Sequence, residues 1–277
     1  MSNLNSFLSP KDEEVYKQLQ MYFDYTKEIL LYSEPIFYEL NKIKIKAHEM
    51  DDFKNLIMYC FLKSTSHGMN IWIVASSGHY IEASILLRPI IELIIQLKYI
   101  INKGRSNFIR LSKEFFIYLR YREKNRIQIA LNIATELKEQ IIIDNIKENL
   151  NRLNAEFKGK KNEDFWPGQK LKEIAIQAGL LRYYQTVYDL YSKYIHSSLD
   201  NLYQYYNPSD LSWNIKPSTK HIDEILITFF EAYFDMMTVL ATEFWGHPFT
   251  GFDHFDHCLN GMKEKSLLKM ESKLPNN

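Results

Sequence analysis

The sequence predicts an all-α protein: a single bundle-like domain of about seven to nine helices around a buried central helix at about residues 83–101. Three observations carry this. Apolar residues recur at helical spacing through most of the chain, and no segment gives a convincing strand or hairpin signal. Glycine and proline are scarce, 9 and 8 in 277 residues, which fits long helices joined by short connections. The stretch Ala83–Ile101, ASILLRPIIELIIQLKYII, is apolar on almost every side, as a helix is when other helices surround it.

The elements follow in order. Ser9 is placed to cap a first helix, with Pro10 at its first position and Asp12, Glu13 and Glu14 in its first turn. That helix runs to about Lys44, and Pro35 kinks or splits it. Asp51 or Asp52 caps a second helix that continues to about Ser77 with Gly68 inside, and Ser76-Ser77-Gly78-His79 breaks it from the central helix. Asn102-Lys103-Gly104 ends the central helix, glycine being favoured just past a C-terminus. Helices follow from Phe108 to about Ile133 and from Glu136 to Phe157, the second charged and solvent-facing. Lys158–Asn162 is an exposed loop, and Phe165-Trp166-Pro167-Gly168 a turn before a short helix from Gln169 to about Gln177. A tyrosine-rich helix spans Leu181 to about Asp200, and a last core helix His221 to about Phe244. Residues 1–245 are read as the helical domain. Residues 246–277 are read as a polar tail with a short helix over Met262–Lys273.

Bulk properties narrow the function classes. Lysine plus arginine and aspartate plus glutamate both number 34, so net charge is zero and broad electrostatic capture of nucleic acid is disfavoured. A local basic groove stays open. Two cysteines, Cys60 and Cys258, do not make a disulfide framework, and the N-terminus has no basic-then-apolar leader, so a cytoplasmic setting is expected. Residues 83–101 are long enough to cross a bilayer, but Arg88, Glu92 and Lys98 are each costly at that depth, so no membrane span is expected.

Those same charges mark the candidate site. At about 100° per residue, Ser84, Arg88, Glu92 and Tyr99 fall on one stripe of the central helix, with Gln96 at its edge. A buried Arg and Glu need partners, and their i, i+4 spacing lets them reach each other. Pro89 frees the Ile85 carbonyl beside them. The pair reads either as a buried structural ion pair beside a kink or as the lining of an anion- or substrate-facing pocket. In the tyrosine-rich helix, Tyr184, Tyr188, Tyr191 and Ile195 form a stripe assigned to the core. His196, on the other side, meets Ser192, Lys193 and Asp200 at helical spacing. A His with a carboxylate is the minimum apparatus for proton transfer near neutral pH; the competing reading is a His that caps and packs a helix end. His67 and His79 flank the approach to the central helix. Arg110, Lys113, Arg120, Arg122, Lys124 and Arg126 alternate with Glu114 and Glu123 on the next helix and read as a solvated face. The tail HPFTGFDHFDHC offers His247, His254, His257 and Cys258, but lacks the paired spacing of a structural zinc site, and no metal is assigned. Nucleotide-binding glycine loops, HExxH and nucleophile elbows are absent from the sequence, and no cofactor is expected.

Three segments in order, GHYIEASILLRPIIELIIQLKYI, FWPGQKLKEIAIQAGL and YYQTVYDLYSKYIHSSLDN, resemble a bacterial all-helical family of unknown function. The resemblance covers roughly residues 51–203. It implies that Arg88, Glu92 and His196 are signature positions, and a setting in variable genomic regions, often near defence genes. A more distant likeness is to HEPN-type helical domains, many of them RNases with an Arg a few residues before a His. Here the positions before His196 hold Ser192, Lys193, Tyr194 and Ile195, so the Arg has to come from another helix, with Arg88 the candidate. The expectation is that Arg88, Glu92 and His196 converge as a catalytic set, with Ser192, Lys193, Asp200, His79 and Tyr99 contacting a ligand. Two functions fit: a defence- or toxin-type, metal-independent RNase, or a non-enzymatic sensor holding an anionic small molecule or nucleotide. Expected partners are RNA or a nucleotide, a second copy of the chain, and a protein encoded in the same operon.

Overall fold

A computed structural model describes residues 8–42, 51–189, 206–207, 212–213 and 217–271. The fold is all-α, as expected. Asp12, not Ser9, caps the first helix, α1 (Glu13–Gln18): its carboxylate accepts from the amides of Glu14 and Val15, both at 3.0 Å. The segment to Lys42 then breaks twice, at Leu19 and Tyr32, into α2 (Gln20–Leu31) and α3 (Ser33–Lys42). Pro35 lies in the first turn of α3, where the amide it lacks would have no helical partner.

Asp51 caps α4 (Asp52–Ser76) by accepting from the Lys54 amide at 2.8 Å. Gly78, with φ at 78°, turns the chain into α5 (Tyr80–Asn102), and Gly104, at 83°, ends it. Helix α5 is the predicted central helix, extended at both ends and continuous through Pro89. It lies against α4 along most of its length and is covered by α9 (Ile222–Trp245), by α8 (Leu171–Gln177) and by a segment at 184–189. Its buried face includes Leu87, Ile90, Ile91, Ile94, Ile95, Leu97 and Ile100.

Helix α4 crosses α9 so closely that a Cβ on Gly68 would lie 2.2 Å from the Phe229 ring. Beside that crossing the Thr65 and Tyr233 hydroxyls pair at 2.7 Å, and the Trp72 indole donates to the Phe23 carbonyl at 3.0 Å, tying α4 to α2. Helices α6 (Phe108–Glu136) and α7 (Gln140–Glu156) form an antiparallel hairpin whose base is a separate aromatic cluster of Tyr118, Tyr121, Phe157 and Phe165. The hairpin turn, at Leu137–Glu139, has Lys138 at φ 61°.

Two expectations need correcting. The C-terminal segment is no polar tail: α10 (Phe252–Glu271) begins ten residues ahead of the expected Met262 and buries Phe255, Cys258, Leu259 and Met262 in the main core. Lys263 pairs with Glu231 and Lys269 with the buried Asp223, so α10's charges hold it to α9 instead of facing only water. A two-residue antiparallel pair, Tyr206–Asn207 with Ser212–Trp213, also stands where no strand was expected. Among the described residues, α9 alone is long and apolar enough to cross a membrane by length and composition, and most of its apolar window is buried.

Candidate functional site

The charges of α5 open a polar cluster between α4, α5, α6 and the tyrosine-rich segment. Arg88 and Glu92 are both half-buried on α5. They do not close into the expected i, i+4 salt bridge among the described residues. Instead the Arg88 Nη2 donates to the Tyr188 hydroxyl at 2.7 Å, with its guanidinium carbon 4.3 Å from the ring centroid. The side chain therefore combines a charged hydrogen bond with cation–π contact. Tyr184 stacks on Tyr188 at 5.4 Å and supports it.

Local backbone sets that meeting. After one helical turn at Leu181–Tyr183, residues Tyr184–Asp189 wind as a π-helix where a regular α-helix was expected. Such widened turns shift the facing of the residues they contain and recur at functional sites. Of the tyrosine stripe assigned to the core, Tyr184 and Tyr188 are half-buried, Tyr188 against Arg88, while the buried residue of this turn is Val187; Tyr191 and Ile195 lie outside the described residues.

Glu92 feels two guanidinium groups, Arg88 and Arg122 of α6. Burial raises its carboxyl above the usual range, and the two arginines only partly oppose that. Arg122 donates to the Tyr118 hydroxyl at 3.2 Å, an interaction that holds its charge more firmly, with Glu92 adding to the effect. Tyr59 of α4 is raised chiefly by burial, then by the adjacent Cys60 thiol and by Glu92, against the pull of Arg126. One carboxyl therefore feels the charges of Arg88 and Arg122, while Arg126 acts on the neighbouring Tyr59.

The other sequence-marked residues fall elsewhere. Tyr99 is buried under the Trp166 indole, ring centroids 4.9 Å apart, with the Lys103 ammonium 4.9 Å over its face. It is part of the lock that holds the aromatic turn. Trp166 donates from its backbone to Glu114 at 2.9 Å and from its indole to the Leu111 carbonyl at 3.0 Å. His79 is exposed at the N-cap of α5 and makes no side-chain capping bond. His67 is half-buried, and burial, then Lys63, lowers its pKa. Ser192, Lys193, His196 and Asp200 lie outside the described residues. Arg122, Tyr118, Tyr59 and Tyr188 are the cluster members that sequence reasoning assigned elsewhere or left unassigned. Arg122 had a signal, its place in the basic run of α6, but nothing in that run distinguishes the arginine that faces α5.

The family model described as a family of unknown function, DUF5677, matches residues 54–211, more than half of the chain. The chain belongs to this family. The match spans α4 to α8 and the tyrosine-rich segment, and so contains the whole Arg88 cluster. No curated protein and no solved structure matches the chain significantly.

Proposed function

We propose that the Arg88 cluster is a phosphate-recognition site through which the protein engages RNA. The observation that carries this reading is the imbalance of charge: the half-buried Glu92 carboxyl feels the guanidinium groups of both Arg88 and Arg122. Guanidinium groups recognise phosphate oxygens in a planar, bidentate way, and tyrosine faces accept unstacked bases. Net charge of zero over the chain confines such binding to a local groove.

A metal-independent RNase is the stronger form of the proposal. In it Arg88 stabilises the phosphorane-like transition state and His196 moves the proton, a role consistent with the defence- or toxin-type setting and the distant HEPN likeness. Glu92 places a carboxyl whose pKa burial raises within the field of Arg88, a second group besides His196 able to exchange a proton. Purified protein incubated with single-stranded RNA in chelator is expected to cleave it, and Arg88→Ala and His196→Ala to abolish cleavage. Equal cleavage by all three proteins assigns the activity to a contaminant. Binding that persists without cleavage, and that Arg88→Ala removes, leaves the sensor reading. Nucleotide-induced thermal stabilisation then distinguishes a free nucleotide from an RNA strand.

The proposal extends to self-association in the cytoplasm. At the free end of the α6–α7 hairpin, Ile129, Ile133, Leu137 and Ile141 are 52–81% exposed, an apolar end that a second copy would cover.

A further inference from the structure

Away from the Arg88 cluster, and outside the family match, three different donor types converge. Glu28 projects from α2, while His254 and Cys258 occupy i and i+4 near the start of α10. The Glu28 Oε1 lies 2.8 Å from the His254 Nε2, and the Cys258 Sγ lies 3.7 Å from the same nitrogen. All three ligand atoms fall within 4.8 Å of one another. We infer that Glu28, His254 and Cys258 form a binding site for a borderline-soft divalent transition-metal ion, with zinc the best match.

The chemistry of the set selects the metal. A thiolate has little affinity for magnesium or calcium, which prefer all-oxygen shells, whereas sulfur, imidazole and carboxylate together suit zinc. At bond lengths of about 2.0 Å to nitrogen and 2.3 Å to sulfur, tetrahedral donors sit about 3–4 Å apart. The observed separations approach that with small rotations of the Glu28 and His254 side chains. Those two have room to rotate, being 50% and 52% exposed, whereas Cys258 is 2% exposed and fixed in the core. Three protein ligands leave a fourth position, which faces water on the exposed side and gives the ion an open coordination site.

The ion would also staple α2 to α10. The α2–α10 seam also has the Lys265 ammonium 5.9 Å from the Tyr22 ring centroid, and just past α2 Tyr32 packs on Phe255, ring centroids 5.3 Å apart, and donates from its hydroxyl to the Thr250 carbonyl at 2.5 Å. On coordination the Cys258 thiol releases its proton to solvent and binds as thiolate.

Cobalt(II) titration of the full chain, after dialysis against chelator, tests the site. One cobalt per chain is expected. It should show near-ultraviolet thiolate-to-cobalt charge-transfer absorption and visible bands of four-coordinate intensity, both lost on adding one equivalent of zinc. Cys258→Ser should abolish the charge-transfer absorption, Cys60→Ser should keep it, and His254→Gln should weaken affinity at least about tenfold. Absence of the band in the unmodified chain, or a band that survives Cys258→Ser, overturns the site. Should Cys258→Ser fail to fold, the half-exposed pair decides: cobalt affinity unchanged in Glu28→Gln/His254→Gln also overturns it.

Discussion

At the scale of single residues, burial decides more than identity. Gly68 stands where the buried Phe229 ring leaves no room for a methyl group, so Gly68→Ala makes that ring shift within the packed core or moves α4 from α9. Its gain in helix propensity, about 1 kcal/mol, is outweighed by overpacking of about 1–3 kcal/mol. The expected result is a lower denaturant midpoint with an unchanged m-value; a stabilised variant would mean that the crossing is looser than the Gly68–Phe229 approach implies. Glu92 gives a pH-dependent counterpart. Because burial raises its pKa on folding, the native state holds that proton more tightly than the unfolded chain, and stability declines as pH rises from the usual carboxylate range through the raised value. Glu92→Gln is therefore expected to be the more stable protein at neutral pH, with the difference closing on acidification below both values. Chemical denaturation at several pH values checks this, and a neutral-pH loss of stability in Glu92→Gln would show that the arginines outweigh burial. Arg88 and Glu92 were legible in the sequence because charges inside an apolar helix demand an explanation. Tyr188 and Arg122 were not. Each is one of several like residues on its own helix, and only tertiary packing selects which one meets α5.

At the scale of elements, helix existence was written in the periodicity and the caps. Asp51, Gly78 and Gly104 end or begin helices for reasons any reader of the sequence can state. Three features were not legible. The π-wound turn at Tyr184–Asp189 has no periodic signature distinct from an α-helix. The boundary between α6 and α7 was placed at residues 133–136, ahead of the Leu137–Glu139 turn, because that turn has no glycine or proline to mark it and rests on Lys138's left-handed backbone. Helix α10 looked like a polar tail because Lys263 and Lys269 read as solvent-facing charges until the fold supplies their partners on α9, Glu231 and Asp223. The aromatic turn was recognised, though not its purpose. Trp166 packs α5 and α6 together through Tyr99, Phe115 and two hydrogen bonds. Trp166→Ala should cost about 3–5 kcal/mol of stability, measured by denaturant unfolding. A cost below about 1 kcal/mol would mark the turn as a surface attachment.

At the scale of the whole molecule, α5 is surrounded on most sides by apolar packing; of its polar stripe Ser84, Gln96 and Tyr99 are buried, and Arg88 and Glu92 stay half-buried where α6 and the tyrosine-rich segment approach. Fold and candidate site meet there: Arg88 and Glu92, costly to bury without partners, are the residues of α5 that the packing leaves half-buried. The apolar end of the α6–α7 hairpin extends the same logic to assembly. Ile133→Glu with Ile141→Glu is expected to convert a dimer into a monomer in sedimentation velocity, and an unmodified chain that sediments as a monomer at high concentration refutes self-association there. Phosphate binding at the Arg88 cluster, as proposed above, is read out by the salt dependence of single-stranded RNA binding. Arg88→Gln is predicted to weaken binding at every salt concentration and to make the slope of log affinity against log salt shallower by about 0.7, one phosphate contact fewer. Affinity and slope identical to the unmodified chain would contradict it.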